Sequence, residues 1–350
     1  MKKKVLSITS LVLAMAMCLA LVACGGSEAP ASSAAPAESA AGSEAAAPAD
    51  GDYTYDGPRM TIAGADSTGT MYAAAAAVAT TFSNNINGLT ISATTSSGSN
   101  ENALNVHLGE VELGMCSGDA AYAALNGTGK FEGQEKFEDL RAVGAVYASM
   151  SNWITLASKG YTYLHDAKGG VFGIGPAAST SEASALLGLE VSGITAENST
   201  LQNVTLGDGA DNVANGTMDA ATGFAGIPVG AQLNASVTKD CAWLGFTDEE
   251  LDKILEANPS YYKTVIPAGT YNGQDEDVPT FGVKCMVICN ETADEAVVYQ
   301  MAKVLIEKAE EMIAGNGFFA DMASTDFICQ NLPISLHAGA EAYYTEAGLL

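Results

Sequence analysis

The chain has 350 residues and carries 41 acidic against 15 basic side chains, a formal charge of −26. So acidic a surface excludes a binder of the nucleic-acid backbone, which needs clustered Lys and Arg, and it makes close docking on anionic lipid unfavourable. It says nothing about the sign of a small ligand, because most of such charge serves solubility.

The N-terminus opens on Lys2, Lys3 and Lys4, an apolar run over residues 5–22, and then Leu21-Val22-Ala23-Cys24. A basic start, an apolar stretch and small residues before a cleavage point are the pattern of a secretory signal. The Cys at the cleavage point makes it a lipobox, so residues 1–23 are expected to be removed and Cys24 to carry the lipid anchor. Ser7, Thr9 and Ser10 interrupt the run, which is near the lower length limit for a membrane span. Residues 25–52 contain no Leu, Ile, Val, Met or aromatic side chain. A segment of that composition cannot offset its own ordering entropy, so residues 24–52 read as a tether with a reach of about 30 Å.

The folded part alternates strands and helices. Strands are predicted at residues 59–64, 89–95, 111–116, 140–148, 152–157, 170–175, 218–224 and 281–289. Helices are predicted at 71–82, 100–108, 118–126, 164–168, from about 180 to 189, from 228, after Thr247 and over 294–314. Thr247 and Glu250 form a capping box. Gly315 marks the stop of the long C-terminal helix. Strands alternating with helices at short loop lengths argue for parallel α/β sheets. The expected architecture is two α/β lobes, with the chain crossing out near Asn152 and back near Phe281. Lobe one then comprises 53–152 and 281–350, and lobe two 153–280.

Of the seven cysteines, Cys18 lies in the signal and Cys24 at the anchor. The remaining five cannot all pair within the chain. Cys285 and Cys289, four strand steps apart, are about 13 Å from each other, beyond disulfide reach, and read as small buried hydrophobes. His107, His165 and His337 are scattered, and neither a CxxC nor an HxxxH spacing occurs. There is also no GxSxG elbow or metal triad. The chain is therefore expected not to be an enzyme and to hold no metal or cofactor. The loop at residues 274–277 lacks the spacing of a calcium loop and reads as a structural turn at the hinge or a contact with a partner protein.

Three loops share a hydroxyl-rich composition: Asp66-Ser67-Thr68-Gly69-Thr70, Ser96-Ser97-Gly98-Ser99-Asn100 and Ala178-Ser179-Thr180-Ser181. Each follows a strand and opens a helix. A helix start presents unpaired N–H groups and partial positive charge, which makes an anion site without a cationic side chain. Open α/β sheets also bind ligands at the carboxyl ends of their strands. The same residues are ordinary helix caps, and both readings stand at this stage.

These loops lie in a chain that resembles the TAXI family, the solute-binding subunits of TRAP (tripartite ATP-independent periplasmic) transporters. The most specific match is residues 267–280, PAGTYNGQDEDVPT, against the family pattern PAGTYxGQDxDVPT. Gly69-Thr70-Met71-Tyr72, Gly98-Ser99-Asn100-Glu101-Asn102, residues 114–119 and residues 333–340 also match, so the resemblance spans roughly 60–344. It implies a type II periplasmic-binding-protein fold that closes over one small carboxylate or amino acid, glutamate- or glutamine-like. It implies delivery to an ion-gradient-driven TRAP permease, with no ATP site on this chain, which is expected to be a monomer. The chain departs from the family in two loops. It has Thr68-Gly69-Thr70-Met71-Tyr72-Ala73 for GGTYYP, and residues 177–182, AASTSE, for PGSGTE.

The ligand-binding residues expected from these readings are Thr68, Gly69, Thr70, Tyr72, Gly98, Ser99, Asn100, Glu101 and Asn102 on lobe one. Ser179, Thr180, Ser181, Glu182, Gly223 and Phe224 are their counterparts on lobe two. A carboxylate is expected on the backbone at Gly69-Thr70 or Gly98-Ser99. Glu101 and Glu182 either hold an ammonium or simply complement their helix dipoles. Tyr147 and Trp153 either wall the cleft or fill the core. Of the two arginines, Arg59 and Arg141, only Arg141 is a candidate for a fork on the ligand. A lipoprotein that senses a ligand for a membrane receptor would have the same fold and residues.

Overall fold

The computed structural model describes residues 53–65, 67 and 69–350. The signal sequence, Cys24, the tether, Asp66 and Thr68 lie outside the described residues. The strands are β1 Met60–Ala63, β2 Ile91–Thr94, β3 Leu113–Ser117, β4 Leu140–Leu156, β5 Val171–Gly173, β6 Thr200–Gln202, β7 Ala220–Ala225, β8 Cys241–Trp243, β9 Tyr262–Ile266 and β10 Val278–Asn290. The helices are α1 Thr70–Asn85, α2 Ser99–His107, α3 Gly118–Asn126, α4 Thr180–Val191, α5 Leu206–Ala214, α6 Gly230–Thr238, α7 Asp248–Ala257, α8 Glu295–Glu307, α9 Ala309–Gly315, α10 Thr325–Cys329 and α11 Ala338–Glu346. No helix among the described residues is long and apolar enough to cross a membrane.

The strands run in the order β2-β1-β3-β10-β4-β7-β5-β6, with β8 on β4 and β9 on β10. Pairing is parallel within β2-β1-β3 and within β7-β5-β6. It is antiparallel wherever β4 or β10 takes part. The parallel strands expected from sequence are present at both ends of the sheet, and the antiparallel pairs are those of β4 and β10, the strands on which the chain passes out and back. The two strands predicted at 140–148 and 152–157 are a single 17-residue strand. The polar run Ser149–Asn152 imitates a break, but partners distant in sequence satisfy it. Thr280 Oγ1 donates to the Ser151 carbonyl at 2.6 Å, and Asn152 Nδ2 donates to Gly223 O at 3.1 Å. The single helix predicted at 294–314 is two, α8 and α9, separated at Lys308.

All ten strands belong to one continuous sheet; we call its β2-β1-β3 end lobe one and its β7-β5-β6 end lobe two, and each end has an apolar layer on both faces. Val287 on β10 joins one layer of lobe one with Val78, Phe82, Leu305 and Tyr344. Its neighbour Met286 points the other way, to Val106, Phe137 and Leu140, as strand alternation requires. Trp153 and Ile154 on β4 divide in the same way between the two layers of lobe two. A side chain as fully buried as Phe82 or Phe172 contributes about 1.5–3 kcal/mol over an exposed one. Because β4 and β10 are buried on both faces, their near-continuous apolar runs fix the crossover of the two lobes.

The five cysteines of the described residues are free and buried. Burial pushes the Cys285 thiol up to about 11 and the Cys289 thiol up to about 12. Both behave as small core side chains, as their strand spacing predicts.

Candidate functional site

A cavity of about 380 Å³ lies between the lobes. Lobe one contributes Ala65, Gly69, Thr70, Met71, Ser97, Gly98, Ser99, Asn100, Tyr147 and Ser149. Lobe two contributes Pro176, Ala177, Ala178, Ser179, Thr180, Ser181, Leu206, Phe224 and Ala225. No lining side chain among the described residues is charged.

The wall is made by the first residues of four helices. These are Thr70 of α1, Ser99 of α2, Thr180 of α4 and Leu206 of α5. Each helix has nine residues or more. Their N-termini carry partial positive charge that falls off within the first turn. Four such ends face the cavity, three of them with an acidic side chain in their own first turn, Glu101, Glu182 and Asp208.

The two lobes end their helices differently. α1 follows Gly69 and α2 follows Gly98, and neither has a side-chain cap among the described residues. Gly98 sits at φ 113° with open space where a Cβ would stand, a conformation glycine adopts without penalty. In lobe two, Ser179 Oγ accepts from Glu182 N at 3.1 Å and Thr205 Oγ1 accepts from Asp208 N at 3.0 Å. Ala178 is held at φ 63° at a position where the family pattern has glycine.

The polar side chains in the cavity divide by whether they are already engaged. Ser99 Oγ accepts from Ser117 N at 3.0 Å. Ser149 Oγ is 3.2 Å from Cys285 Sγ. Ser181 Oγ reaches Phe224 O at 3.4 Å, and Ser179 Oγ donates to Pro176 O at 2.6 Å. The side chains of Thr70, Asn100 and Thr180 have no hydrogen bond among the described residues, and they come from both lobes. Tyr147 is 1% exposed and packs edge-on against Phe318. Burial pushes its phenol well above the ordinary range.

Of the residues expected from sequence, the structure therefore brings together Gly69, Thr70, Gly98, Ser99, Asn100, Tyr147, Ser179, Thr180, Ser181 and Phe224. Tyr72, Glu101, Asn102, Glu182 and Gly223 do not line the cavity. Tyr72 lies against Gly64 at the end of β1. Asn102 is fully buried, and its Nδ2 donates to Met115 O at 2.7 Å, tying α2 to β3. Glu101 accepts from Ser97 N at 2.8 Å and also from the Ser97 hydroxyl, which holds its carboxyl below the usual range. Glu182 accepts from Ala178 N at 2.5 Å and from Asn203 Nδ2 at 2.8 Å. Each glutamate thus reaches back four residues to shape its own loop. Gly223 turns toward Gln232 of α6.

Arg141 is also engaged elsewhere. It pairs with Glu291 at 2.5 Å and donates to the carbonyls of Glu138 and Leu140, about 20 Å along β4 from Tyr147. Trp153 lies in the lobe-two core, edge-on to Phe172. Among the described residues, no group of three metal-ligating side chains occurs, at residues 274–277 or elsewhere.

The expected ligand-binding set missed Ala65, Met71, Ser97 and Ser149 on one side and residues 176–178, Leu206 and Ala225 on the other. Leu206 could have been found, since Thr205 and Asp208 are a helix-start pair of the kind read at Thr247.

A second cavity of about 440 Å³ adjoins the first at Asn100, Ser179 and Thr180 and runs to Asp119 and Lys130. There, Tyr261 of lobe two donates to Asp119 Oδ2 of lobe one at 3.0 Å. Burial raises the Asp119 carboxyl, and its hydrogen bonds only partly oppose this. Another pocket of about 440 Å³ lies beside Leu108, Val111 and Val297. It sits at the entry ends of β1 and β3, whereas open α/β sheets bind ligands outside the carboxyl ends of their strands.

The fold is that of periplasmic solute-binding proteins. MatC from Rhodopseudomonas palustris, solved with bound malate, superposes with a TM-score of 0.52 over 84% of this chain and 98% of its own, at 10% identity. The alkanesulfonate-binding protein SsuA from Xanthomonas axonopodis pv. citri, bound to MOPS, gives 0.48 over 83% and 85%, at 13% identity. The periplasmic aliphatic sulphonate-binding protein SsuA from Escherichia coli gives 0.43 over 83% and 84%, at 14% identity. At 10% identity the likeness to MatC speaks to the fold alone. Residues 62–348 match a sequence family directly, and on that match the chain belongs to the NMT1-like family.

Proposed function

We propose that this chain is a solute-binding protein rather than an enzyme, that it works outside the cytoplasm anchored through Cys24, and that it delivers a small carboxylate to a TRAP permease. The observation that carries the reading is the meeting of four helix N-termini on one inter-lobe cavity with no charged lining side chain among the described residues. Such a site favours an anion, and an α-ammonium, where the ligand carries one, finds only neutral acceptors among the described residues. The uncapped starts of α1 and α2 are the places for the carboxylate. Thr70, Asn100 and Thr180 supply the donors and acceptors that read the rest of the ligand. Because those side chains come from both lobes, the ligand gains contacts as the lobes close, which is what shifts a two-state protein toward its closed form. The TRAP assignment rests on residues 267–280 and the matching loops.

Native mass spectrometry of the purified protein, followed by thermal-shift screening, tests the ligand class. Glutamate, glutamine, succinate and malate form the carboxylate set, and simple amines are the controls. Carboxylates are expected to raise the melting temperature and amines to leave it unchanged. Unchanged calorimetric affinity in both Thr70→Ala and Ser181→Ala sinks the site assignment. Uptake by vesicles that carry the neighbouring permease, driven by an ion gradient without ATP, tests the transport half.

A further inference from the structure

The segment 267–280 is the most specific stretch of the sequence, yet none of its residues lines the cavity. We propose that Tyr271, at the centre of that segment, is a positioning residue that fixes the lobe-two rim of the ligand cavity. This rests on the reading of the inter-lobe cavity as the ligand site.

Tyr271 is 3% exposed and stacks on Trp243, with ring centroids 4.3 Å apart and planes 7° from parallel. Its hydroxyl is saturated from two directions. Val229 N donates to Tyr271 Oη at 2.9 Å, and Tyr271 Oη donates to Asn152 Oδ1 at 3.0 Å. Asn152 in turn uses both amide hydrogens, on Met150 O at 2.8 Å and Gly223 O at 3.1 Å. One phenol therefore holds both ends of the segment 223–229, directly at Val229 and through Asn152 at Gly223.

That segment is what the cavity sees of lobe two beside α4 and α5. Phe224 and Ala225 line the cavity. Gly226 lies against the other lobe, and a methyl group placed there would stand 2.9 Å from Thr70 Cγ2 and 3.2 Å from Tyr147. A rim this close to Thr70 tolerates little drift, so its anchoring bears on how well the lobes meet over a ligand. The remainder of the signature holds Tyr271 in place. Gln274 accepts from Tyr271 N at 3.3 Å and donates to Ile266 O at 3.1 Å. Thr280 Oγ1 donates to Ser151 O beside Asn152. The signature is thereby a clamp on the crossover of β4.

Tyr271→Phe keeps the ring on Trp243 and removes only the hydroxyl. Tyr344→Phe is the control, since it removes another fully buried hydroxyl, bonded to Val143 O at 2.9 Å in the lobe-one core. Hydrogen exchange of the ligand-free full chain, read by mass spectrometry, is expected to quicken about tenfold at residues 223–230 in Tyr271→Phe, with α7 and α8 unchanged. The dissociation constants for L-glutamate or L-malate are expected to rise about tenfold in that variant alone. Tyr344→Phe lowers the melting temperature and leaves both readouts at wild-type values. Unchanged exchange at 223–230 in Tyr271→Phe overturns the proposal, and so does quickening spread evenly through lobe two. If neither probe binds the wild-type chain, the carboxylate reading fails, and the exchange data still decide whether Tyr271 positions the rim.

Discussion

The loops of the two lobes that meet at the cavity are alike in plan and unlike in what they leave open. In both, a glutamate at the third helical position accepts from the N–H four residues back, at Ser97 in one lobe and Ala178 in the other. Lobe two then closes its helix starts with Ser179 and Thr205, whereas lobe one starts α1 and α2 behind bare glycines. A capped helix start has spent a donor on its own chain, and an uncapped one offers it outward. The difference suggests a division of labour. Lobe one holds the charge of the ligand, and lobe two supplies shape and closure.

The sharpest way to break that comparison is to cap lobe one. Gly69 sits at φ −92° and ψ 156°, extended backbone open to any residue. Gly69→Asp places a carboxylate where the ligand's is expected. Affinity is predicted to fall at least about 100-fold, while stability rises by about 0.5 kcal/mol from the new cap. Calorimetric titration and denaturant unfolding measure the two. Retained affinity means that α1 does not hold the acid group. Next in size are Thr70→Ala and Thr180→Ala, each expected to weaken binding about 5- to 10-fold through one lost hydrogen bond. If the division of labour is right, Thr70→Ala acts equally on every carboxylate, and Thr180→Ala changes the ranking among them.

What the sequence disclosed follows from the range of the interactions. Helix starts are local chemistry. The Thr247–Glu250 box is present in both directions, with Thr247 N on Glu250 Oε2 at 2.7 Å and Glu250 N on Thr247 Oγ1 at 3.3 Å. The three hydroxyl-rich loops were legible for the same reason. Which side of a helix faces the cavity was not. Tyr72 lies two residues beyond Thr70, about 200° around α1, and Asn102 lies a turn beyond Ser99 on the buried side. The continuity of β4 through Ser149–Asn152 was hidden because Thr280 and Gly223, more than seventy residues away, complete its polar groups. β6 is three residues long and largely exposed, so it gave no alternation to read, and α5 behind it was lost with it.

Lobe two also carries a strained alanine beside the cavity, whereas the non-glycine residue at positive φ in lobe one, Asn331, is of a type that visits the left-handed region readily. Gly98 takes its positive φ freely, but Ala178 at φ 63° does not. A side chain in the left-handed region costs about 1–2 kcal/mol. Ala178→Gly is predicted to stabilise by about 1 kcal/mol, less the added freedom of the unfolded chain, with affinity changed less than about threefold. Thermal and denaturant unfolding read the first and titration the second. A large gain in affinity indicates instead that the alanine holds the lobe-two loop back from the ligand.

The smallest effect expected is at the contact between lobes, Asp119 with Tyr261. Tyr261, Cys116, Cys285 and Lys130 are the titratable groups around that carboxyl. Burial raises it, so folding costs more with this carboxyl charged than with it neutral. A raised acid contributes stability that is complete below its unfolded value, about 3.9, and that is lost as pH climbs through the higher folded value. Asp119→Asn removes the titration and keeps an oxygen for the Tyr261 hydroxyl. Its melting temperature is therefore expected to exceed that of the wild type by about 1–2 °C at pH 7 and to match it at pH 3. The same offset at both pH values assigns the effect to packing. A lower melting temperature at pH 7 shows that the charged carboxylate, and not the neutral acid, joins the two lobes.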